Sequence, residues 1–235
     1  MFNLSLILPT YNEHQNIGIL IHRIFTVMGG AEVIVVDDDS PDGTWDVAQA
    51  LCERYPSLRV HRRIQRRGLR TAIQAGIDMS EEPFVGWLDC DLSMPPELFV
   101  EMADRLQSAD LVVGSRYVKG GRDRRPFWRR FSSRIINSLG RFLLGTKIRD
   151  LTSGFILCKR EVVERFRLIG DYGEYFIALI FRAESAGLKV MEVPYVFEDR
   201  THGKSKTGGN LLNFFHLGTG YVGMIMRLFL ERIRE

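Results

Sequence analysis

Asp89-Cys90-Asp91 sets two carboxylates two residues apart directly after the apolar run FVGWL. That pattern suits a divalent cation. Mg²⁺ takes one or two carboxylates at about 2 Å and fills its octahedron with water and substrate phosphates. Such a pair therefore neutralises and orients a diphosphate leaving group, and Ser93 offers a hydroxyl as a further ligand. An Asp-rich segment also serves as a turn or helix cap, but at a strand end alternation cannot bury both carboxylates cheaply. Polar clusters follow two other apolar runs: Pro9-Thr10-Tyr11-Asn12-Glu13 after LSLIL, and Asp37 to Thr44 after VIVV. Within the latter, Ser40 and Asp42 read equally well as caps. There is no GxxxxGK[ST] loop and no GxGxxG after the first run, which argues against Walker-type ATP hydrolysis and dinucleotide oxidoreduction.

Positive charge is the second chemical signal. Arg59, Arg62, Arg63, Arg66, Arg67 and Arg70 form one cluster; Arg116, Lys119, Arg122, Arg124, Arg125, Arg129, Arg130 and Arg134 form another. Most of these suit a solvated face or attraction to anionic lipid. Guanidinium forks match phosphate oxygens, so a few are expected to hold substrate phosphates. A formal net charge of +3 gives nucleic-acid binding little support. Two loop-like segments, Asp150 to Phe155 and Asp199 to Lys206, place small or hydroxyl residues beside charge.

The elements that must position these groups alternate. LSLIL (4–8), VIVV (33–36), Leu58 to His61, FVGWLD (84–89), DLVVGSR (110–116), GFILCK (154–159) and LKVMEV (188–193) read as strands. Helical periodicity runs from His14 to Met28, Thr44 to Arg54, Leu69 to Met79, from Pro95 to Leu106 and up to about Leu144. This rhythm predicts a parallel sheet covered by helices on both faces, with ligands bound outside the carboxyl ends of the strands. The polar clusters fall there.

Composition agrees: 235 residues at 45% hydrophobic and 26% charged exclude a disordered chain. Three cysteines without CxxC spacing exclude a disulfide scaffold and argue against structural zinc, and read as reduced thiols of a cytoplasmic setting. MFNLSLILPTYNE runs straight into a strand pattern, so no signal peptide is expected. The last segment, 211–235, is apolar but broken by Asn213, His216 and Arg227. It reads as an amphipathic helical tail lying in a membrane interface, with packing on the core and a single span as alternatives.

LPTYNE (8–13), VVDDDSPDGT (35–44), GLRTA (68–72), DCDLSMPPE (89–97), GSRYVKGG (114–121), DLTSGF (150–155), FRAESAGLKVMEVP (181–194) and DRTHGKSK (199–206) stand in the order found in dolichol- and polyprenol-phosphate mannose synthases. Over about residues 3–206 the chain resembles this branch of the inverting glycosyltransferase family 2. The resemblance implies a GT-A fold, a Rossmann-like nucleotide-diphospho-sugar transferase fold, for a catalytic domain of 1–210 followed by the 211–235 membrane segment. It implies that Pro9, Tyr11 and Glu13 line the nucleotide-base pocket with Asp37 near the nucleoside. Asp89, Cys90 and Asp91 would meet the donor diphosphate, with Mg²⁺ or Mn²⁺ on Asp89 and Asp91. Arg116, Arg130 and Arg134 would contact donor or acceptor phosphate, Asp150 the sugar, and Arg200 and Lys206 would form a basic loop over the diphosphate. The chain departs from the family pattern at Cys90 and Ser93, where Ala and Gln are common, at Arg70, where a small residue is usual, and at Gly173-Glu174-Tyr175.

What the resemblance implies is transfer of a hexose, mannose from GDP-mannose, to a dolichyl or polyprenyl phosphate at the cytoplasmic face of a membrane, with room for a membrane-embedded partner subunit. Two rivals stay open at this level. One is a family 2 transferase using another donor, such as UDP-glucose, or a saccharide hydroxyl acceptor. The other is a nucleotide-sugar-binding subunit without turnover.

Overall fold

Strand residues of this chain divide between two faces with a period of two. In β1 (Leu4–Thr10), Leu4, Leu6 and Leu8 enter one apolar cluster and Ile7 the other; in β2 (Glu32–Asp37), Val33 and Val35 oppose Ile34 and Val36. A sheet buried on both faces explains why these runs are continuously apolar. The computed structural model describes residues 3–65, 67–199 and 211–234, with the side chains of 211–217 left aside.

The remaining strands are β3 (Leu58–Arg62), β4 (Phe84–Trp87), β5 (Leu111–Ser115), β6 (Arg122–Asp123), β7 (Ile156–Lys159), β8 (Val190–Pro194) and β9 (Val196–Phe197). Seven of them form one sheet in the order β3-β2-β1-β4-β7-β5-β8, and β6 pairs with β9 apart from it. Neighbours in the main sheet are parallel except β7, which is antiparallel to both β4 and β5. The sheet is thus mostly parallel, as the alternation of elements predicts. The direction of β7 was not legible, because a short buried apolar run reads the same either way.

Helices α1 (His14–Val27), α2 (Thr44–Ala50) and α4 (Leu98–Leu106) pack on the Leu6 face. Helices α3 (Leu69–Met79), α6 (Arg160–Arg165) and α7 (Tyr175–Ser185) pack on the Ile7 face, joined by the end of α5 (Phe127–Leu144) and by α8 (Leu211–Arg232).

The C-terminal helix corrects the expectation of an apolar tail standing apart from the fold. Met224, Ile225 and Leu228 of α8 are buried in the core, α8 packs against α5 and α7, and Arg232 Nη1 donates to the Leu143 carbonyl at 3.0 Å. Among the described residues no helix is long and apolar enough to cross a membrane. The outward side of α8 nevertheless carries exposed Val222, Met226 and Leu230 at helical spacing, with exposed Ile233 just past its end.

Candidate active site

Because β2, β1 and β4 are parallel neighbours, their carboxyl ends open on one edge of the sheet. Two cavities lie there. The first, about 220 Å³, is lined by Pro9, Tyr11, Glu13, Asp38, Arg67 and Cys90 among others. The second, about 130 Å³, is lined by Arg116, Arg125, Arg129, Thr152, Ser153, Asp199 and Tyr221 among others. Asp89 and Asp91 line both, together with Leu69 and Tyr172. The two carboxylates therefore stand where the cavities meet.

Local geometry holds that loop in an uncommon shape. Leu92, between Asp91 and Ser93, has φ +63°, a left-handed conformation that costs a branched residue of order 1 kcal/mol or more. The Ser93 amide and hydroxyl both donate to Asp91 Oδ1, at 3.1 and 2.5 Å. Ser93 is buried and lines neither cavity. Its hydroxyl, expected as a further metal ligand, donates to Asp91 Oδ1. The hard oxygen donors of Asp89 and Asp91 at the cavity junction fit Mg²⁺ or Mn²⁺.

On the first cavity, the expectation for Asp37 needs revision. Asp37 is shut off from solvent and accepts hydrogen bonds from Thr10 Oγ1 (2.8 Å), the Ser40 amide (2.9 Å) and Ser40 Oγ (2.6 Å). It ties the ends of β1 and β2 together. The next residue, Asp38, takes the cavity position, held by Arg63 Nε at 2.7 Å and the Gly68 amide at 2.8 Å. Asp42 is a cap: it accepts from the Thr44 amide and hydroxyl and from the His14 amide. Burial pushes the Asp42 carboxyl up, but these hydrogen bonds outweigh it and hold its pKa below the ordinary value. Tyr11 packs under the Arg67 guanidinium, 4.8 Å from its ring centre, and the buried Glu13 carboxylate accepts from Asn16 Nδ2 at 2.7 Å.

On the second cavity, Arg116 is the deepest cation. Its Nε and Nη2 bind Asp150 at 2.8 and 2.7 Å, its amide donates to Asp150 Oδ2 at 2.9 Å, and Nη2 also reaches Thr152 Oγ1 at 2.9 Å. Burial alone would lower the Arg116 pKa, but the Asp150 charge and hydrogen bonds hold it well above its ordinary value. Asp150, expected at the sugar, is fully buried, lines neither cavity and holds the Arg116 fork. Arg125 is aimed by Asp123 (Nη2 to Oδ2, 2.6 Å) and stacks on Phe197 at 4.9 Å.

Other expected site residues lie elsewhere. Arg130 donates to the Asp123 carbonyl at 3.4 Å and lines neither cavity. Arg134 stacks on Tyr117 at 5.8 Å and opens on a different basin. Arg200 and Lys206 lie outside the described residues. Arg70 is structural: Nη1 donates to the Leu168 carbonyl at 3.3 Å. Sequence reasoning named Asp38, Arg67, Arg125 and Arg129 only as members of larger polar clusters, and did not single out Tyr172 or Tyr221 as cavity residues. Tyr221 comes from α8, and a side chain at Gly173 would collide with its hydroxyl, so that glycine is required for the close approach. No motif marked it.

The family model described as Glycosyl transferase family 2 matches residues 5–167. Dolichol-phosphate mannosyltransferase of Pyrococcus furiosus is 37% identical over 215 residues, covering 88% of this chain and 60% of that protein. Polyprenol monophosphomannose synthase of Mycolicibacterium smegmatis is 39% identical over 214 residues (87% and 80%), and undecaprenyl-phosphate mannosyltransferase of Micrococcus luteus 32% identical over 218 (88% and 88%). The chain thus spans about three fifths of the Pyrococcus protein and most of the other two. Among solved structures, glucosyl-3-phosphoglycerate synthase of Mycobacterium tuberculosis, in complex with Mn²⁺, uridine diphosphate and phosphoglyceric acid, superposes with a TM-score of 0.74 at 21% identity, covering 96% of this chain and 78% of that one. That likeness establishes a GT-A-like α/β fold. With the family model spanning the first two cavity-forming strand ends, the aspartate pair and the Arg116–Asp150 pair, the chain belongs to glycosyl transferase family 2.

Proposed function

We propose that the chain transfers a hexose, mannose from GDP-mannose, to the phosphate of a dolichyl or polyprenyl chain with inversion. The observation that carries this reading is that a cavity at the ends of β1 and β2 and an arginine-lined cavity share Asp89 and Asp91. Three relatives, named as a dolichol-phosphate mannosyltransferase, a polyprenol monophosphomannose synthase and an undecaprenyl-phosphate mannosyltransferase, support the acceptor and the sugar.

In this reading Pro9, Tyr11, Glu13, Asp38 and Arg67 seat the nucleoside, and Asp89, Cys90 and Asp91 face the diphosphate. Mg²⁺ or Mn²⁺ on Asp89 and Asp91 supplies charge neutralisation for the departing diphosphate. Arg116, Arg125 and Arg129 draw the acceptor phosphate into the second cavity and aim it. A phosphate monoester has its second pKa at about 6, so the nucleophilic oxygen is already ionised and no strong protein base is needed. That oxygen bonds to the anomeric carbon as the bond from carbon to diphosphate breaks, the electron pair leaving with the diphosphate. Arg200 and Lys206 are assigned to charge contacts with the departing diphosphate.

An enzyme with a lipid acceptor must meet a membrane. Exposed Phe127, Trp128, Phe131, Ile135 and Phe142 form a stripe on α5 opposite its buried Ser133, Asn137, Gly140 and Leu144, and α8 packs alongside with its own outward apolar stripe. We assign 1–210, with Tyr221 of α8, to the catalytic cavities, and the outward side of 211–235, together with α5, to seating the enzyme peripherally on the cytoplasmic face. The test is a panel of radiolabelled nucleotide-sugars with polyprenyl phosphate or a free saccharide as acceptor. Label should enter the lipid fraction from GDP-mannose; label passing only to the saccharide, or from no donor, overturns the reading.

A further inference from the structure

A third basin, about 440 Å³, opens between the segment after β5 and the side of α5. Of the residues around the two catalytic cavities it shares Arg116 alone. Arg134, Arg141 and Arg149 line it, and none of the three has a carboxylate partner among the described residues. Several other surface arginines are paired, as in Arg23–Glu97, Arg59–Glu32 and Arg124–Glu198. Three like charges around one concavity repel each other, so the arrangement calls for an anion from outside the chain.

The position of the basin narrows the class of anion. Arg134 and Arg141 are seven residues apart, so they lie on one side of α5. That side borders the exposed stripe, where Phe131, Ile135 and Phe142 are 54%, 52% and 84% exposed. A phosphate joined to an apolar body satisfies both surfaces at once. We propose that Arg134, Arg141 and Arg149 bind the phosphate of an anionic phospholipid headgroup while the α5 stripe enters the lipid, at a site separate from the one that takes the acceptor phosphate. This rests on the reading of α5 as a membrane-facing helix. The two helix arginines and Arg149 would then fix the tilt at which the catalytic cavities meet the bilayer.

The test is co-sedimentation of the full chain with vesicles of phosphatidylcholine alone or mixed with phosphatidylglycerol, comparing the wild type with Arg141→Ala/Arg149→Ala. Neither side chain makes a hydrogen bond or ion pair among the described residues, so melting should be unchanged. Wild type should prefer the anionic vesicles, and the double variant should lose roughly fivefold per arginine of that preference. Transfer to a short-chain polyprenyl phosphate in detergent should stay at the wild-type level. An unchanged vesicle preference overturns the site, and lost transfer in detergent shows that the basin belongs to the reaction instead. Competition by soluble glycerol phosphate as strong as that by the lipid would assign it to a free phosphate and overturn the headgroup. Should the wild type transfer no sugar, the proposed activity falls while the vesicle comparison still reads the basin.

Discussion

The Arg116 guanidinium meets the Asp150 carboxylate through two parallel hydrogen bonds, Nε to Oδ2 at 2.8 Å and Nη2 to Oδ1 at 2.7 Å, with side chains 2% and 0% exposed. Desolvating both charges is costly, and their attraction with the added bond to Thr152 offsets that cost. Removing one partner strands the other. Asp150→Ala should therefore lower unfolding free energy by about 3–5 kcal/mol, measured by denaturant titration. Asp150→Asn should keep more stability yet raise KM for the acceptor, because one oxygen no longer aims the fork.

Ser93 predicts a different kind of loss. Its hydroxyl and amide fix Asp91 Oδ1, and groups that orient metal-binding carboxylates typically contribute 10–100-fold in metal affinity. Ser93→Ala should raise the Mg²⁺ or Mn²⁺ concentration giving half-maximal transfer by about tenfold. Turnover at saturating metal should be largely retained. If Ser93 were itself a ligand, turnover would fall at every metal concentration.

Acid should loosen the second cavity through Asp123. Burial raises the pKa of this carboxyl, but hydrogen bonds and charge from Arg125, with Arg116 nearby, bring it below the ordinary 3.8. A folded-state value below the unfolded one gives stability that is present above 3.8 and lost as pH falls through the lowered value. Asp123→Asn should lose less stability than the wild type over that interval, by thermal melting at stepped pH. Parallel curves would show that Asp123 is not the group responsible.

The apolar stripe on α5 should matter only at a membrane. Phe131→Glu/Phe142→Glu changes exposed side chains, so melting should hold while vesicle binding drops. Transfer to a long-chain acceptor embedded in vesicles should fall with it, and transfer to a short-chain acceptor in detergent should not.

Much of this was legible from residue types. Strand runs and helix periodicity placed β1, β2, β4 and α1 to within a few residues, and the strand-end rule put Asp89 and Asp91 beside the cavities at the sheet edge. What failed depended on which way a side chain turns. Asp37 and Asp38 are sequence neighbours, yet one is folded inward against Thr10 and Ser40 while the other lines the cavity. Arg129 and Arg130 are likewise adjacent, but about 100° apart on a helix, and only Arg129 reaches the cavity. Tyr221 needed the packing of α8 on α7, which no local pattern encodes.

The central claim is that the two cavities work through the aspartates they share. Asp91→Asn keeps the size of the side chain and removes its charge, so the decisive measurement is radiolabelled mannose transfer from GDP-mannose to polyprenyl phosphate by this variant across a metal titration. The expected result is a loss of at least about 100-fold at saturating metal, with melting near that of the wild type. Undiminished transfer at any metal concentration would contradict the account.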